Sequence, residues 1–187
     1  MKFRTLILSL LALSFVATLF AEEKTETPKQ AQAFGHTQYG AVVLDSIQGN
    51  GLLKLNGTSV THTLHMEGSL LSQGAHIGTL EVLGEANLTN TTIQNASFIF
   101  GSLQAVHSTF LQPITLLTQK ATFTHTKLQG ITVQKDQGYK GKQVLELRQN
   151  TLVDGPIHFE SGKGEVLLYP GSHVIGKVTG GKVIKKN

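Results

Sequence analysis

Histidine and carboxylate side chains are the residues of this sequence whose types could support chemistry. The chain has eight histidines among 187 residues and no cysteine. His65 and Glu81 occupy equivalent positions in two neighbouring sequence units, and His107 and His125 are separated by a similar number of residues. A transition-metal site needs three or four converging ligands, and no HxH or HExxH spacing occurs. We therefore expect no metal ion and no other cofactor, and outward-facing polar residues on strands instead.

Paired carboxylates are the second candidate for chemistry. Cleavage of a polysaccharide requires two carboxylates that face one another across a cleft. The pairs that the spacing offers are Glu81 with Glu85 and Asp154 with Glu160. A chain of this length leaves little room for the loops that build a cleft, and the sequence has no GxSxG nucleophile element. We predict that the protein is not an enzyme, and a small polysaccharide-cleaving enzyme is the weakest of three hypotheses.

Basic residues are concentrated late in the chain. From Ile131 onward there are nine Lys or Arg residues against five Asp or Glu, whereas residues 86–119 contain no fixed charge. A basic surface of this kind suits an anionic polymer of the cell envelope or lipid headgroups. The absence of Trp and the few aromatic residues argue against a nucleic-acid partner. The candidate contacts to an anionic partner are Lys135, Lys140, Lys142, Lys182, Lys185 and Lys186.

A short unit repeated from Thr63 to Gly130 must position these side chains. Each unit begins with two apolar residues one apart, passes a Gly or a small polar residue, and ends on a second apolar anchor. Alternation with a period of two places the first pair of each unit on one face of a strand. These pairs are Leu64 and Met66, Leu80 and Val82, Phe98 and Phe100, and Ile114 and Leu116; the anchors are Ile77, Ile93, Phe110 and Leu128.

The period of 16 to 18 residues predicts the fold class. It is too short for pairs of helices, and most positions between the apolar residues are Thr, Asn, Ser and Gly, which form helices poorly. If each unit is one coil, its apolar residues stack on those of the next coil. The stack then buries the apolar face of each coil, which a single coil could not bury alone. We therefore predict an all-β, single-stranded parallel β-solenoid of about eight coils, and right-handed winding, as parallel crossovers prefer.

The domain organisation follows from the composition along the chain. Residues 1–21 have the pattern of a signal peptide, with an uncleaved anchor as the alternative. The pattern consists of the basic Lys2 and Arg4, the apolar run Leu6–Phe20 and the small Ala21. After cleavage no transmembrane span is expected. Residues 22–40 are polar and predict a disordered tether. Residues 41–184 predict the solenoid, with an extruded loop at 134–143, and residues 185–187 a basic tail.

A stretch within the repeats resembles the pentapeptide-repeat proteins. Leu88, Ile93, Phe98 and Leu103 are five residues apart, and two residues before each stand Ala86, Thr91, Ala96 and Gly101. In that family both positions point inward, so the resemblance over residues 86–103 implies a solenoid with square or triangular coils.

The repeat style over about 140 residues resembles that of bactofilins, which are polymer-forming bacterial solenoids. It is seen in Leu53-Lys54-Leu55-Asn56-Gly57 and in residues 171–178. Bactofilins are typically cytoplasmic and lack a cleavable signal, whereas this chain carries one. The resemblance implies a solenoid that stacks on copies of itself, forming a homo-oligomer through its ends.

Three functional hypotheses result. The first is an exported bacterial structural or interaction protein of the periplasm or cell surface, a scaffold that assembles end to end. The second is a glycan-binding surface module that uses an outer face or the Gln134–Gln143 loop. The third is the enzyme considered above.

Overall fold

Residues 29–187 form one parallel β-sheet wound into a solenoid. The structure is a computed structural model, and it describes this range of the chain. The signal peptide predicted for residues 1–21, and residues 22–28 of the predicted tether, lie outside the described residues. Residues 29–187 include no helix long and apolar enough to cross a membrane.

Eighteen strands make up the sheet in residues 29–187, and all of their pairings are parallel. They are β1 Lys29–Tyr39, β2 Val43–Asn56, β3 Ser59–Gln73, β4 His76–Thr89, β5 Thr92–Ile93, β6 Ser97–Val106, β7 Thr109–Phe110, β8 Ile114–Leu117, β9 Lys120–Thr124, β10 Lys127–Leu128, β11 Ile131–Val133, β12 Gln143–Arg148, β13 Leu152–Val153, β14 Ile157–Phe159, β15 Gly164–Leu168, β16 His173–Val174, β17 Val178–Thr179 and β18 Gly181–Lys185.

Each full coil has three sides. In the last four coils every side is a separate short strand, so that β10, β11 and β12 form the first, second and third face of one coil, and β16, β17 and β18 those of the last. In the earlier coils long strands such as β3 and β4 bend from one face to the next. Residues 29–187 make about nine turns. The predicted fold class is therefore confirmed, with about one coil more than expected.

The core lies along the solenoid axis and is built from columns of equivalent residues. On the first face the four predicted anchors Ile77, Ile93, Phe110 and Leu128 stack in register and are fully buried. On the second face Leu64 pairs with Leu80, and Met66 with Val82, also as predicted. Each column places an apolar side chain on the next at about 4.8 Å, so every coil completes the core of its neighbours.

The repeat unit at β6 is the exception, and its predicted orientation was wrong. Ser97 and Ile99 point inward, whereas Phe98 and Phe100 lie on the outer surface. Ile99 pairs with Val82 on one side and Leu116 on the other, which fixes the phase of the strand. The pentapeptide-repeat pattern does not hold at this point, because Phe98 and Ala96 both face outward.

A row of glycines forms the corner between the second and third faces in the earlier coils. We call Gly51, Gly68, Gly84 and Gly101 the glycine corner; all four have positive φ angles, from 113° to 142°. A Cβ atom at any of them would lie 2.0–2.3 Å from the carbonyl oxygen of the glycine one coil earlier. These positions therefore exclude every side chain, both by backbone conformation and by contact between coils.

The first strand corrects the predicted tether. β1 occupies Lys29–Tyr39 and pairs in parallel with β2, so the solenoid extends at least twelve residues before the predicted start at residue 41. The inward positions of β1 include Ala33, which is buried, and Ala31, which is half-buried. Such small side chains give little apolar periodicity, and the coil is held by main-chain pairing with its neighbour.

The predicted loop occupies residues 134–142, between β11 and β12. Gln143 is instead the first residue of β12 and is buried, and its side-chain Nε2 donates to the carbonyls of Thr118 (3.0 Å) and Gln134 (2.7 Å). The coils on either side keep their register, because Ile131 pairs with both Ile114 and Ile157. At the other end of the chain, Lys185 belongs to β18 rather than to the predicted tail.

Candidate functional site

Two of the six predicted lysines converge on one carboxylate. Lys142, at the end of the loop, lies 2.6 Å from Glu165 Oε1, and Lys182 of β18 lies 3.4 Å from the same atom. Glu165 and Lys182 are register partners on the third face. The hydrogen bond from Lys142 lowers the pKa of the Glu165 carboxyl from its usual value, and the charges of both lysines act in the same direction.

A cavity of about 430 Å³ lies beside this pair of lysines. Its lining contains a third lysine, Lys163, which stands in the turn between the second and third faces, and the remaining wall is glycine backbone. Three ammonium groups against one carboxylate leave a net positive site. We call Lys142, Lys163, Glu165 and Lys182 the basic corner; the sequence prediction missed Lys163 because it stands alone between glycines.

The other four predicted lysines do not join the basic corner. Lys135 and Lys140 lie on the loop, where the backbone N–H of Lys135 donates to Glu160 Oε2 (3.2 Å). Lys185 ends β18, and Lys186 follows it with its backbone N–H donating to Leu168 O (2.9 Å). The predicted basic face is thus divided between a loop, a corner and an end of the solenoid.

A second charged network lies one coil earlier on the third face. Glu146, whose side chain is 9% exposed, contacts Lys120 (2.9 Å) and Arg148 (2.8 Å). Burial disfavours its charged form, but the hydrogen bonds from Lys120 and Arg148 outweigh burial and hold its pKa below the usual value. The Arg148 guanidinium also stacks over the Tyr169 ring at 4.5 Å. The network joins three successive coils on one surface.

The histidines are placed as the spacing predicted, side by side on neighbouring coils. His65 Nδ1 lies 3.1 Å from Glu81 Oε2, and His65 Nε2 lies 3.9 Å from Glu67. The rings of His107 and His125 stack with their centroids 4.5 Å apart, and both residues are exposed at a corner with φ near 50°. Within residues 29–187, no three His, Cys, Asp or Glu side chains are grouped so as to hold a metal ion.

The predicted carboxylate pairs are separated by the shape of the coil. Glu81 and Glu85 stand on opposite sides of the corner residue Gly84, where Glu81 contacts His65 and Glu85 accepts a hydrogen bond from Asn87. Glu160 contacts the backbone of the loop. Asp154 precedes β14 and Glu160 follows it, so these two carboxylates stand at opposite ends of a strand and, like the first pair, do not face one another.

An exposed apolar surface lies on the second face, where the sequence predicts polar side chains. We call Leu83, Phe98, Phe100 and Leu117 the apolar stripe. Leu83, Phe100 and Leu117 are register partners on three successive coils, and Phe100 is 46% exposed. Asp136 of the loop borders the stripe beside Phe100 and Leu117. The sequence signal for this surface was Phe98-Ile99-Phe100, but this run of three apolar residues does not show whether the phenylalanines or the isoleucine face the core.

The two ends of the solenoid are the remaining candidate. β1 pairs only with β2, and β18 only with β15, among the strands of residues 29–187. Val183 ends the column that contains Leu145 and Val166; it is 45% exposed, whereas those two are fully buried. The N-terminal end therefore presents the edge of β1, and the C-terminal end presents the edges of β16, β17 and β18 together with exposed core.

Charge is distributed unevenly along the axis. Residues 29–119 contain two basic and four acidic residues, whereas residues 120–187 contain eleven basic and five acidic residues. The last coil, residues 172–187, has four lysines and no Asp or Glu. The first three coils, residues 29–75, balance Lys29 and Lys54 against Asp45 and Glu67. The two ends thus differ in charge.

Comparison with protein-family models, curated proteins and solved structures finds no match to this chain. The solenoid of stacked parallel coils is what the chain has in common with repeat β-helices.

Proposed function

We propose that this protein is an exported bacterial structural protein, a β-solenoid scaffold of the cell envelope that assembles end to end. The observation that carries the proposal is the strand edge at each end of residues 29–187. Unpaired edges of this kind are ready templates for another chain, and soluble proteins normally block them. A second copy would continue the sheet and the core in the way that each coil continues the coil before it.

The exposed end of the core adds an apolar contribution to such a junction. Val183, Val174 and Val178 are the last members of three columns, and all three are partly exposed. Covering them removes apolar surface from water at about 25 cal/mol per Å². The resemblance of the repeats to bactofilins supports the same role.

Replacing Val183 tests the assembly. We expect Val183→Lys to prevent end-to-end association, because a junction would bury the new ammonium group without a partner. Ile175→Lys is the matched control, since Ile175 lies on the outer surface of the same coil and is 71% exposed. Sedimentation velocity over a range of concentrations measures the outcome. A wild-type protein that stays monomeric at high concentration would refute the proposal.

Export to the envelope is supported by the predicted signal peptide. Its test is the mass and N-terminal sequence of the protein recovered from the periplasm or cell surface, and we expect Glu22 to be the first residue. A full-length chain that remains in the cytoplasm would contradict this part of the proposal.

The basic corner supports an anionic envelope polymer as the partner. Three lysines around a cavity beside Glu165 favour a phosphate- or carboxylate-bearing polymer. We expect the double variant Lys163→Gln, Lys182→Gln to weaken binding to isolated envelope polymer, and a matched variant on the loop, Lys135→Gln, Lys140→Gln, to weaken it less. Equal losses would place the contact elsewhere.

The apolar stripe favours the alternative of a glycan-binding module. Phe98 and Phe100 present aromatic side chains on one outer face, beside the uncharged Thr115. Aromatic rings bury the apolar faces of ligands at low cost in conformational entropy. Binding on a glycan array that Phe98→Ser and Phe100→Ser abolish would establish this alternative, and the absence of any bound glycan would remove it.

A further inference from the structure

We infer that the copies associate head to tail, with the last coil of one copy on the first coil of the next, so that the rod has a direction. The inference rests on the proposed end-to-end assembly and specifies its junction. The occupant of each exposed end is a second copy of this chain, presenting its opposite end.

Charge separates this arrangement from a symmetric one. A rod of alternating orientation needs a junction between two C-terminal ends, which would bring two sets of four lysines together without any acidic residue in either last coil. Like charges within about 8–10 Å are weakly screened at physiological salt. A head-to-tail junction instead sets those lysines against the first coil, residues 29–42, which has one lysine, Lys29, and no Asp or Glu.

The strand pattern fits the same arrangement. β1 supplies the second and third faces of the first coil, and β17 and β18 supply those two faces of the last coil. Stacked head to tail, the strands stay parallel, as they are within the chain. The second-face column that begins at Ala31 would then follow Val178, and Gln32 would lie beside Thr179 on the outer surface.

Gly35 shows where a junction of this kind would be intolerant of a side chain. It is the first member of the row that continues as Gly51, and an added Cβ would meet nothing within 4 Å in the single chain. At Gly51 the same atom would lie 2.3 Å from the Gly35 carbonyl oxygen. A coil placed before β1 would bring backbone into the open space beside Gly35. Its φ of 66° is one that asparagine also adopts.

Cysteine cross-linking tests the direction directly, because the chain contains no cysteine. Two single variants, Gln32→Cys and Thr179→Cys, mark the outer surface of the two ends. Neighbouring parallel strands are about 4.8 Å apart, which lies within the Cα separation that a disulfide requires. Each variant is oxidised alone and in an equal mixture. Thr132→Cys, in the middle of the same outer column, measures cross-linking by random collision.

A head-to-tail junction gives disulfide dimers in the mixture and only the Thr132→Cys background in each variant alone. Dimers of Thr179→Cys alone above that background would show a symmetric junction and overturn the inference, while leaving end-to-end assembly intact. Background levels in all samples of a protein that still polymerises in sedimentation would also overturn it. A monomeric protein would refute the proposed assembly itself.

Gly35→Asn provides a second readout. We expect this variant to fold, to remain monomeric and to lose the mixed disulfide. Gly57→Asn is the matched control, because Gly57 has a φ of 69° and lies away from the ends, with its nearest neighbour at 3.6 Å from an added Cβ. Polymers of the Gly35→Asn protein that match the wild type would contradict the proposed register.

Discussion

The coils before and after residue 117 connect the second face of the solenoid to the third in different ways. In the earlier coils one continuous strand turns from the second to the third face at a glycine, and successive glycines contact one another through the backbone. In the later coils the strand is broken at this corner, between β8 and β9, between β11 and β12 and between β14 and β15, and the last two of these connections carry charged residues. In the first arrangement successive corner glycines are 16 or 17 residues apart, whereas the second lets coil length vary and brings lysines and glutamates together. The earlier, uniform coils are therefore limited in length by backbone contact, and the later, variable coils are held by side-chain pairing.

The largest effect is expected at the glycine corner. Gly84→Ala would place a Cβ 2.0 Å from the Gly68 carbonyl oxygen at a φ of 142°, so we expect a loss of about 3 kcal/mol in the free energy of unfolding. Gly162→Ala is the control from the later coils: its φ is 68°, nothing lies within 4 Å, and we expect a loss of about 1 kcal/mol. Urea unfolding monitored by circular dichroism measures both. Equal losses would remove the distinction between the two kinds of corner.

A smaller effect is expected at the buried carboxylate of the later coils. Glu146→Gln removes the ion pairs with Lys120 and Arg148, and we expect a loss of about 1–2 kcal/mol. Both basic partners stay solvated, which limits the cost. Glu85→Gln, in the uniform coils, is the matched control, because Glu85 is exposed and is hydrogen-bonded only to Asn87 among the described side chains. If both variants unfold at the wild-type urea concentration, the later coils do not depend on Glu146.

The pH dependence should separate the same two regions. The pKa values of Glu146 and Glu165 are lowered on folding, so their contribution is complete above the ordinary value of 4.5 and is lost as the pH falls below it. We expect the difference in unfolding midpoint between the wild type and the double variant Glu146→Gln, Glu165→Gln to be largest at neutral pH and to shrink in acid. A difference that stays constant from pH 7 to pH 3 would contradict the ion pairs.

The smallest effect is expected from the loop. Replacing residues 136–141 by two glycines should change the free energy of unfolding by less than about 1 kcal/mol, because loop-closure entropy varies slowly with length. Gln143 is kept, since its amide joins two coils. Removing two residues from the turn at Asn50-Gly51 is the corresponding change in the uniform coils, and there we expect the fold to fail. Circular dichroism and the urea midpoint distinguish the two results.

The sequence predicted the core wherever aliphatic residues alternate with polar ones. The repeat units of Leu64 and Met66 and of Leu80 and Val82 could be aligned from the sequence, because the residues between and after these apolar positions include His, Glu and Gly. The pattern failed at Phe98-Ile99-Phe100, where all three residues are apolar and only the coils on either side decide which face is buried. It failed again at β1, whose inward residues include the small Ala31 and Ala33.

The charged networks were beyond prediction for a different reason. Lys142 and Glu165 are separated by twenty-three residues, and Lys120 and Glu146 by twenty-six, so neither pair follows the period of 16 to 18. The loop lengthens the coil between Lys120 and Glu146, and longer turns between β12 and β15 lengthen the coil between Lys142 and Glu165. The stacking of His65 on Glu81 could be predicted because no insertion lies between them.

The amide of Gln143 has a consequence for what the rod could carry. It holds the Gln134 carbonyl at 2.7 Å, so the chain leaves the coil and re-enters it at nearly the same point. A loop whose two ends lie close together can be lengthened, or replaced by an independently folding domain, without distorting the coil that carries it. The solenoid is therefore suited to act as a display platform, with passengers grafted between Lys135 and Lys142 projecting at regular intervals along an assembled rod.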